Sequence, residues 1–493
     1  MTPSRHPLLY QLNTRVALTE ISRTLGSAAT LDDYPDTKLD RLAQLGFEWV
    51  WLLSVWQTGD AARRVSRNNP QWRAEFEHTL PDLREADIDG SGFAISGYAV
   101  HQDLGGDAAL VRLRKRMRQR GLKLMLDFVP NHMAPDHAWV GKYPDYFVQG
   151  SEADLSSAPQ NYFRVDTPAG SRVFAHGRDP YFDGWPDTVQ LNYGNSSLQR
   201  AMQGELARIA GQCDGVRCDM AMLLLPEVFE RTWGVHADAF WPVAIDAVRK
   251  AHPKFVFLAE VYWDMEWTLQ SQGFDYTYDK RLYDRLREHQ ARPVREHLAA
   301  DRDFQNRSAR FLENHDEPRA AATFAPEIHA AAAVITFLTP GLRLIHDGQF
   351  EGRKARISPH LVRRPEEAVD HEIADFYERL LAALRHAAVR GGQWQLLEVV
   401  RAWPDNTSAE NFIAFSWQTD AHEWLWVVVN YAPHQGQCFV RLPFGELARR
   451  TVRLKDLSGF NIYERPGDDL LERGLYVDLA GWKCHVFEVR LPA

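Results

Sequence analysis

Four short apolar runs in this chain end on acidic residues, and that recurrence restricts the fold more than any other feature. Leu124-Met125-Leu126 leads to Asp127, Gly215-Val216-Arg217-Cys218 to Asp219, and Phe255-Val256-Phe257-Leu258-Ala259 to Glu260. The fourth, Arg310-Phe311-Leu312, leads into Glu313-Asn314-His315-Asp316. Each run has the length of a buried strand, and each acid stands where such a strand would emerge. Arg217 and Asp219 lie two positions apart and so share one strand face. Amphipathic helical segments separate the runs, as in a parallel barrel or a doubly wound sheet, and only a barrel gathers many strand ends at one point. The acids are therefore expected to face one another, with Arg217, His132 and His315 among them. A single acid at a strand end is usually a cap or a solvated side chain, but that reading does not account for the whole set.

In the same order, Asp127-Phe128-Val129-Pro130-Asn131-His132, Gly215-Val216-Arg217-Cys218-Asp219, Ala259-Glu260-Val261 and Glu313-Asn314-His315-Asp316 resemble the four short motifs of the alpha-amylase superfamily, glycoside hydrolase family 13. The resemblance implies an α/β fold: a (β/α)8 TIM barrel with an inserted B domain and a C-terminal antiparallel β-sandwich domain. It implies Asp219 as nucleophile and Glu260 as general acid/base. Asp316 would stabilise the transition state through sugar hydroxyls, with Asp127, His132, Arg217 and His315 as substrate-binding support. Phe93 falls where the family usually places an aromatic that stacks on the sugar; a buried core phenylalanine is the alternative.

The chemistry fits those residue types. Breaking a glycosidic bond needs a carboxylate opposite the anomeric carbon and a protonated carboxyl at the leaving oxygen, because the transition state is cationic at the ring. Asp219 and Glu260 supply the pair. Arg217 beside Asp219 would favour its charged form, whereas Glu260 must keep its proton, so burial and neighbouring acids should raise its pKa. His132 and His315 suit hydrogen bonds to sugar hydroxyls better than zinc, since neither has a third ligand at metal spacing. No metal ligand set and no required cofactor is read from the chain. Calcium stays open because Asn131 matches a position that binds it in many family members, although Val189-Gln190-Leu191-Asn192-Tyr193 carries Asn192 where calcium-binding members often have Asp.

At 493 residues the chain is too long for one ordinary core. Residues 1–132 and 191–390 are expected to form the barrel, 133–190 the B domain, and 391–493 the C-terminal β domain. The B domain is read from spacing: 92 residues separate Asp127 from Asp219, against 41 and 56 between the later motif acids. One helix and one strand need roughly 30 to 40 residues, so the surplus is an insertion. Leu8 to Leu12, Phe47 to Leu53 and Phe93 to Val100 read as the first three strands, which makes the Asp127 strand the fourth; by the family pattern it would be the third. After Gly391 the pattern shifts to short alternating runs such as Trp424-Leu425-Trp426-Val427-Val428-Val429, the mark of antiparallel strands.

A net charge of −9 and a pI near 6.1 argue against a nucleic-acid partner. The one basic run, Arg112 to Arg120, has Leu113 and Met117 at helical spacing and reads as the wet face of a barrel helix. Four scattered cysteines give no disulfide framework. The opening Met1-Thr2-Pro3-Ser4-Arg5-His6-Pro7 carries no apolar leader and no run is long enough to span a membrane, so no membrane partner and a cytoplasmic location are expected. The expected activity is that of a retaining alpha-glucoside hydrolase or transglycosylase on short alpha-glucans or small alpha-glucosides, through a covalent glycosyl-enzyme intermediate. The alternatives are a dedicated glucosyltransferase or isomerase, and a non-catalytic carbohydrate-binding or chaperone-like subunit. Met220-Ala221-Met222-Leu223, where chain-cleaving amylases often carry a Lys-His pair, gives an apolar wall suited to short substrates.

Overall fold

The structure, a computed structural model, describes residues 5–167, 170–421, 423–459 and 461–491. Met1-Thr2-Pro3-Ser4 and the outermost ends of the first and last expected domains lie outside them. Eight parallel strands close into a barrel: β1 (Leu8–Asn13), β2 (Trp49–Leu53), β3 (Lys123–Phe128), β4 (Gly215–Cys218), β5 (Val256–Ala259), β6 (Tyr276–Tyr278), β7 (Ser308–Arg310) and β8 (Leu342–His346). β1 closes the ring, pairing Leu9 with Leu344 of β8 on one side and with Trp49 of β2 on the other. The strands are buried on both faces, which explains why they read as unbroken apolar runs. Gly215 opens β4 because a Cβ there would sit 2.8 Å from the Val256 carbonyl oxygen and 3.1 Å from the Trp49 ring.

The strand count is corrected at one point. Ile95–Val100 is a strand, but it pairs with Trp56–Thr58 in a two-stranded sheet outside the barrel, so Asp127 closes the third barrel strand. Phe93 and Ala94 lie between its two strands, just before Ile95. The expected second strand also starts at Trp49 rather than Phe47.

Three excursions surround the carboxyl ends of the strands. After β2, helices Asp60–Asn68 and Pro70–Thr79 stand beside the barrel mouth. After β3, the insertion forms a small antiparallel sheet from Gln149–Gly150, Tyr162–Thr167 and Gly170–Ala175. It leaves and returns through a paired ladder, His132–Met133 against Val189–Gln190. After β8, residues 347–370 run to the last barrel helix, His371–Leu384.

The basic run lies on helix Gly106–Arg118, and its arginines are paired: Arg112 with Asp32, Arg114 and Arg118 with Asp214, and Arg116 with Asp36. Neighbouring acids thus neutralise the cationic face. From Gln393 onward two antiparallel sheets follow, of six and three strands. In the strand Phe412–Gln418, second from one edge of the larger sheet, Ile413, Phe415 and Trp417 belong to the barrel's core, while Phe412 and Ala414 pack toward the second sheet. Trp417 Nε1 donates to the Leu338 carbonyl at 2.6 Å, and the Tyr431 hydroxyl to the Leu286 carbonyl at 2.7 Å.

Candidate active site

The carboxyl ends of β3, β4, β5 and β7 deliver their acids to one place. Arg217, fully buried in β4, joins them. Its Nη1 lies 2.6 Å from Asp219 Oδ1 and 3.6 Å from Asp127 Oδ1, and its Nη2 lies 2.7 Å from Glu260 Oε2. Trp51, Phe93 and Tyr278 enclose the guanidinium, with ring centroids 5.2, 5.2 and 5.9 Å away. A single cation therefore faces three buried carboxyls, with Asp316 close by, and cannot neutralise them all. Burial outweighs its attraction. Glu260 is pushed up to about 8, by desolvation first and then by the nearby Asp219 and Asp316 charges. Desolvation likewise lifts Asp127 to about 7.

Backbone geometry completes the surroundings of Glu260. Met220, immediately after Asp219, adopts a left-handed conformation (φ 44°, ψ 46°), strained for a residue with a side chain. That turn aims the Met220 N–H at Glu260 Oε2, 2.7 Å away. On the other oxygen, the Tyr262 hydroxyl donates to Oε1 at 3.0 Å.

A cavity of about 280 Å³ opens over this group. Asp219, Glu260, Asp316, His132, His315 and Phe93 line it, so six of the eight residues singled out in the sequence meet there. Asp127 and Arg217 are not among its lining; Arg217 acts on the cavity through Asp219 and Glu260, and Asp127 stands against Arg217. Asp127 also accepts from the Ser54 N–H at 3.3 Å, and its carbonyl accepts from Trp56 Nε1 at 2.8 Å, which ties β3 to the two-stranded sheet. Asp316 is the most open member, with 41% of its side chain accessible. Asn314 Oδ1 accepts from the N–H groups of Asp316 and Glu317, both at 2.9 Å, and so sets the turn that presents Asp316. His315 is fixed by Gln11, 2.8 Å from its Nδ1, and lies 5.2 Å from the Phe93 ring. Burial lowers the pKa of both His132 and His315, the latter helped by Arg217, which keeps these rings neutral.

Several lining residues escaped the sequence reading. Tyr262 is the most accessible to inference, since it stands two positions beyond Glu260. Trp185, Asp187 and Thr188 come from the insertion, with the Trp185 ring 5.1 Å from that of His132. Trp72 and His360 come from excursions far apart in sequence, and their rings lie 4.5 Å from each other. Around them the two excursions are joined by Ser66 Oγ to His360 Nδ1 at 2.8 Å, Asp89 N–H to the His360 carbonyl at 2.9 Å, and Arg363 to Asp87 at 2.8 Å. An apolar knot of Phe76, Leu80, Ile88 and Leu361 backs the contact. One side of the cavity is thus a built wall.

Calcium does not fit at Asn131. Gln190 Nε2 donates both to the Asn131 carbonyl at 2.9 Å and to its Oδ1 at 3.0 Å, so an amide donor occupies the oxygens a hard cation would need. Asn192 Oδ1 accepts from the Gly194 N–H at 3.1 Å. Among the described residues no group of three or more His, Cys, Asp or Glu is arranged to hold a metal.

An eight-stranded parallel barrel that brings two buried carboxyls onto one arginine at its carboxyl-terminal mouth is the architecture of a barrel enzyme with a carboxylate-pair site. A family model described as the alpha-amylase catalytic domain matches residues 36–375, and the chain belongs to that family. Alpha-amylase MalA of Haloarcula japonica is 26% identical over 357 residues, 71% of this chain and 45% of that protein. The trehalose synthase/amylase TreS of Mycolicibacterium smegmatis is 26% identical over 273 residues, 48% of this chain and 44% of that protein. The matched part therefore spans less than half the length of either relative. A solved maltogenic alpha-amylase, AmyB from Thermotoga neapolitana, superposes with a TM-score of 0.70 over 99% of both chains at 18% identity, a likeness of fold. No helix among the described residues is long and apolar enough to cross a membrane.

Proposed function

We propose that the chain is a retaining alpha-glucoside hydrolase or transglycosylase that acts at the ends of short alpha-glucans or on small alpha-glucosides. The observation that carries the reading is the pair of buried carboxyls, Asp219 and Glu260, held on one Arg217, with burial pushing Glu260 up to about 8. Glu260 donates that proton to the glycosidic oxygen as the bond to the anomeric carbon breaks, and Asp219 forms an ester with the same carbon. Glu260, now ionised, takes a proton from water or from an acceptor sugar, whose oxygen displaces Asp219 and frees the product. Close spacing of the two carboxyls is what a retaining pair requires, and their common contact with Arg217 supports it. Asp316, His132 and His315 hold the sugar hydroxyls, and Phe93 offers its ring. Arg217 and Asp127 are positioning residues.

Trp72 and His360 favour chain ends, because a longer chain would have to pass through the wall they form. Maltose, maltotriose and soluble starch, followed by chromatographic sizing and iodine staining, test this. Glucose release from the first two with early iodine colour preserved is the expected result. Rapid loss of colour with mixed oligosaccharides would show an open cleft, and no release from any alpha-glucoside would overturn the enzyme reading. An added acceptor sugar separates transfer from hydrolysis.

A further inference from the structure

On the outer side of β1 lies a second and larger cavity, about 520 Å³, within the ~300–1,000 Å³ usual for small-molecule sites. Successive strand residues point to opposite sides: Gln11 reaches inward to His315, and its neighbour Tyr10 lines the outer cavity. Helices Thr14–Leu25, Asp36–Leu45 and His371–Leu384 supply the rest of the walls together with the segment after β8. None of its lining residues lines the catalytic cavity.

Its chemistry is that of a site for a neutral, hydroxyl-rich ring. Four aromatic side chains, Tyr10, Tyr34, Phe350 and Tyr377, give it apolar faces. Four acids stand against four cations in the lining, so no net charge selects an anion or a cation. Five of those eight satisfy one another: Arg364 contacts Glu20 at 2.7 Å and Asp347 at 3.2 Å, and Arg41 pairs with Glu378. Tyr10 donates its hydroxyl to Asp347 at 2.8 Å, which completes a rigid floor. Half-buried Glu351 and Arg353 are left without a side-chain hydrogen bond or ion pair among the described residues, and Lys38 stands exposed at the rim. Tyr34 lines the cavity with its ring 5.9 Å from Lys38 Nζ, and the atoms buried there without a hydrogen-bond partner are Glu351 Oε2 and Arg353 Nε. A buried polar atom left unpaired costs about 1–3 kcal/mol, a cost that a hydroxyl bound between Glu351 and Arg353 would remove.

We infer that this cavity is a second site, separate from the catalytic one, that binds a neutral mono- or disaccharide through Tyr34, Lys38, Glu351 and Arg353. The inference does not rest on the proposed catalytic roles, since binding here uses none of those residues.

Calorimetric titration of maltose, and separately glucose, into the Asp219→Asn protein tests it. The expected result is two equivalents of bound sugar, one in each cavity, for at least one of the two probes. Ala374, half-buried on the lining helix, offers a way to fill the space, and Ala374→Trp should remove one equivalent and leave the other. Tyr34→Phe, which changes no packing, should weaken that same equivalent about 3- to 10-fold, the value of one hydrogen bond. Should the catalytic reading fail, the equivalent sensitive to position 374 would still be present. A single equivalent or none with both sugars, or two equivalents indifferent to Ala374→Trp and Tyr34→Phe, would overturn the inference.

Discussion

Tyr262→Phe removes one donor to Glu260 and leaves the two others that favour its ionised form, Arg217 and the Met220 N–H, in place. The hydroxyl of Tyr262 donates to Glu260 Oε1 at 3.0 Å, and such a bond stabilises the ionised acceptor more than the neutral one. A hydrogen bond to a charged group contributes about 1.5–3 kcal/mol against about 0.5–1.5 for a neutral pair, a difference of about 1–1.5 kcal/mol. That corresponds to about one pH unit, so without the hydroxyl the pKa of Glu260 should climb from about 8 toward 9. The measurement is kcat/KM for maltose across pH 5–10, whose alkaline limb reports loss of the catalytic proton in the free enzyme. Because Asp219 and Glu260 interact, the limb belongs to the pair, and its displacement is the quantity to read. The limb should move upward by about one pH unit while the plateau changes only a few-fold. An unmoved limb, or one displaced downward, would refute the idea that Tyr262 favours the ionised acid.

Asp219→Asn keeps the shape of the nucleophile and removes the attacking charge, so turnover should fall by several orders of magnitude with an unchanged melting temperature; more than a tenth of the original activity would remove Asp219 from that role. Glu260→Gln should cripple cleavage of maltose and spare activated aryl glucosides, whose leaving groups need little protonation, with azide partly restoring the latter. Equal losses on both substrates would assign Glu260 a structural part. Asp187, 3% exposed with Oδ2 unpartnered, is lifted by burial to about 7. Its folded pKa exceeds the unfolded one, so its contribution to stability is intact below about pH 4 and lost as pH rises through 7. Asp187→Asn should therefore raise stability in urea by up to ~4 kcal/mol at pH 8 and leave it nearly unchanged at pH 4; a gain of the same size at both would contradict the assignment.

The parts of this site that could be read from the chain are those set by strand period. Asp219 follows Arg217 by two positions, and Glu260 closes an apolar run, so β4 and β5 announce both their burial and what they deliver. Tyr276–Tyr278 was silent because three residues are too few to show a period. Ile95–Val100 misled for the opposite reason: it has the composition of a strand, and only its pairing with Trp56–Thr58 shows that it lies outside the barrel. The wall of Trp72 and His360 could not be foreseen, since the two come from different excursions and nothing local marks either as a lining residue. Asn131 matched a calcium position by motif alone, and the donor that spoils it, Gln190, comes from the far end of the insertion.

The strand Phe412–Gln418 serves two interiors at once, sending Ile413, Phe415 and Trp417 into the barrel and Phe412 and Ala414 into its own sandwich. Severing the chain near Gly391 would strip the barrel of those side chains and leave the Leu338 carbonyl without the Trp417 donor. The C-terminal sheets are therefore no detachable appendage. Heat should melt them together with the barrel in one cooperative step, and any effort to shorten or transplant the catalytic half must carry its last hundred residues along.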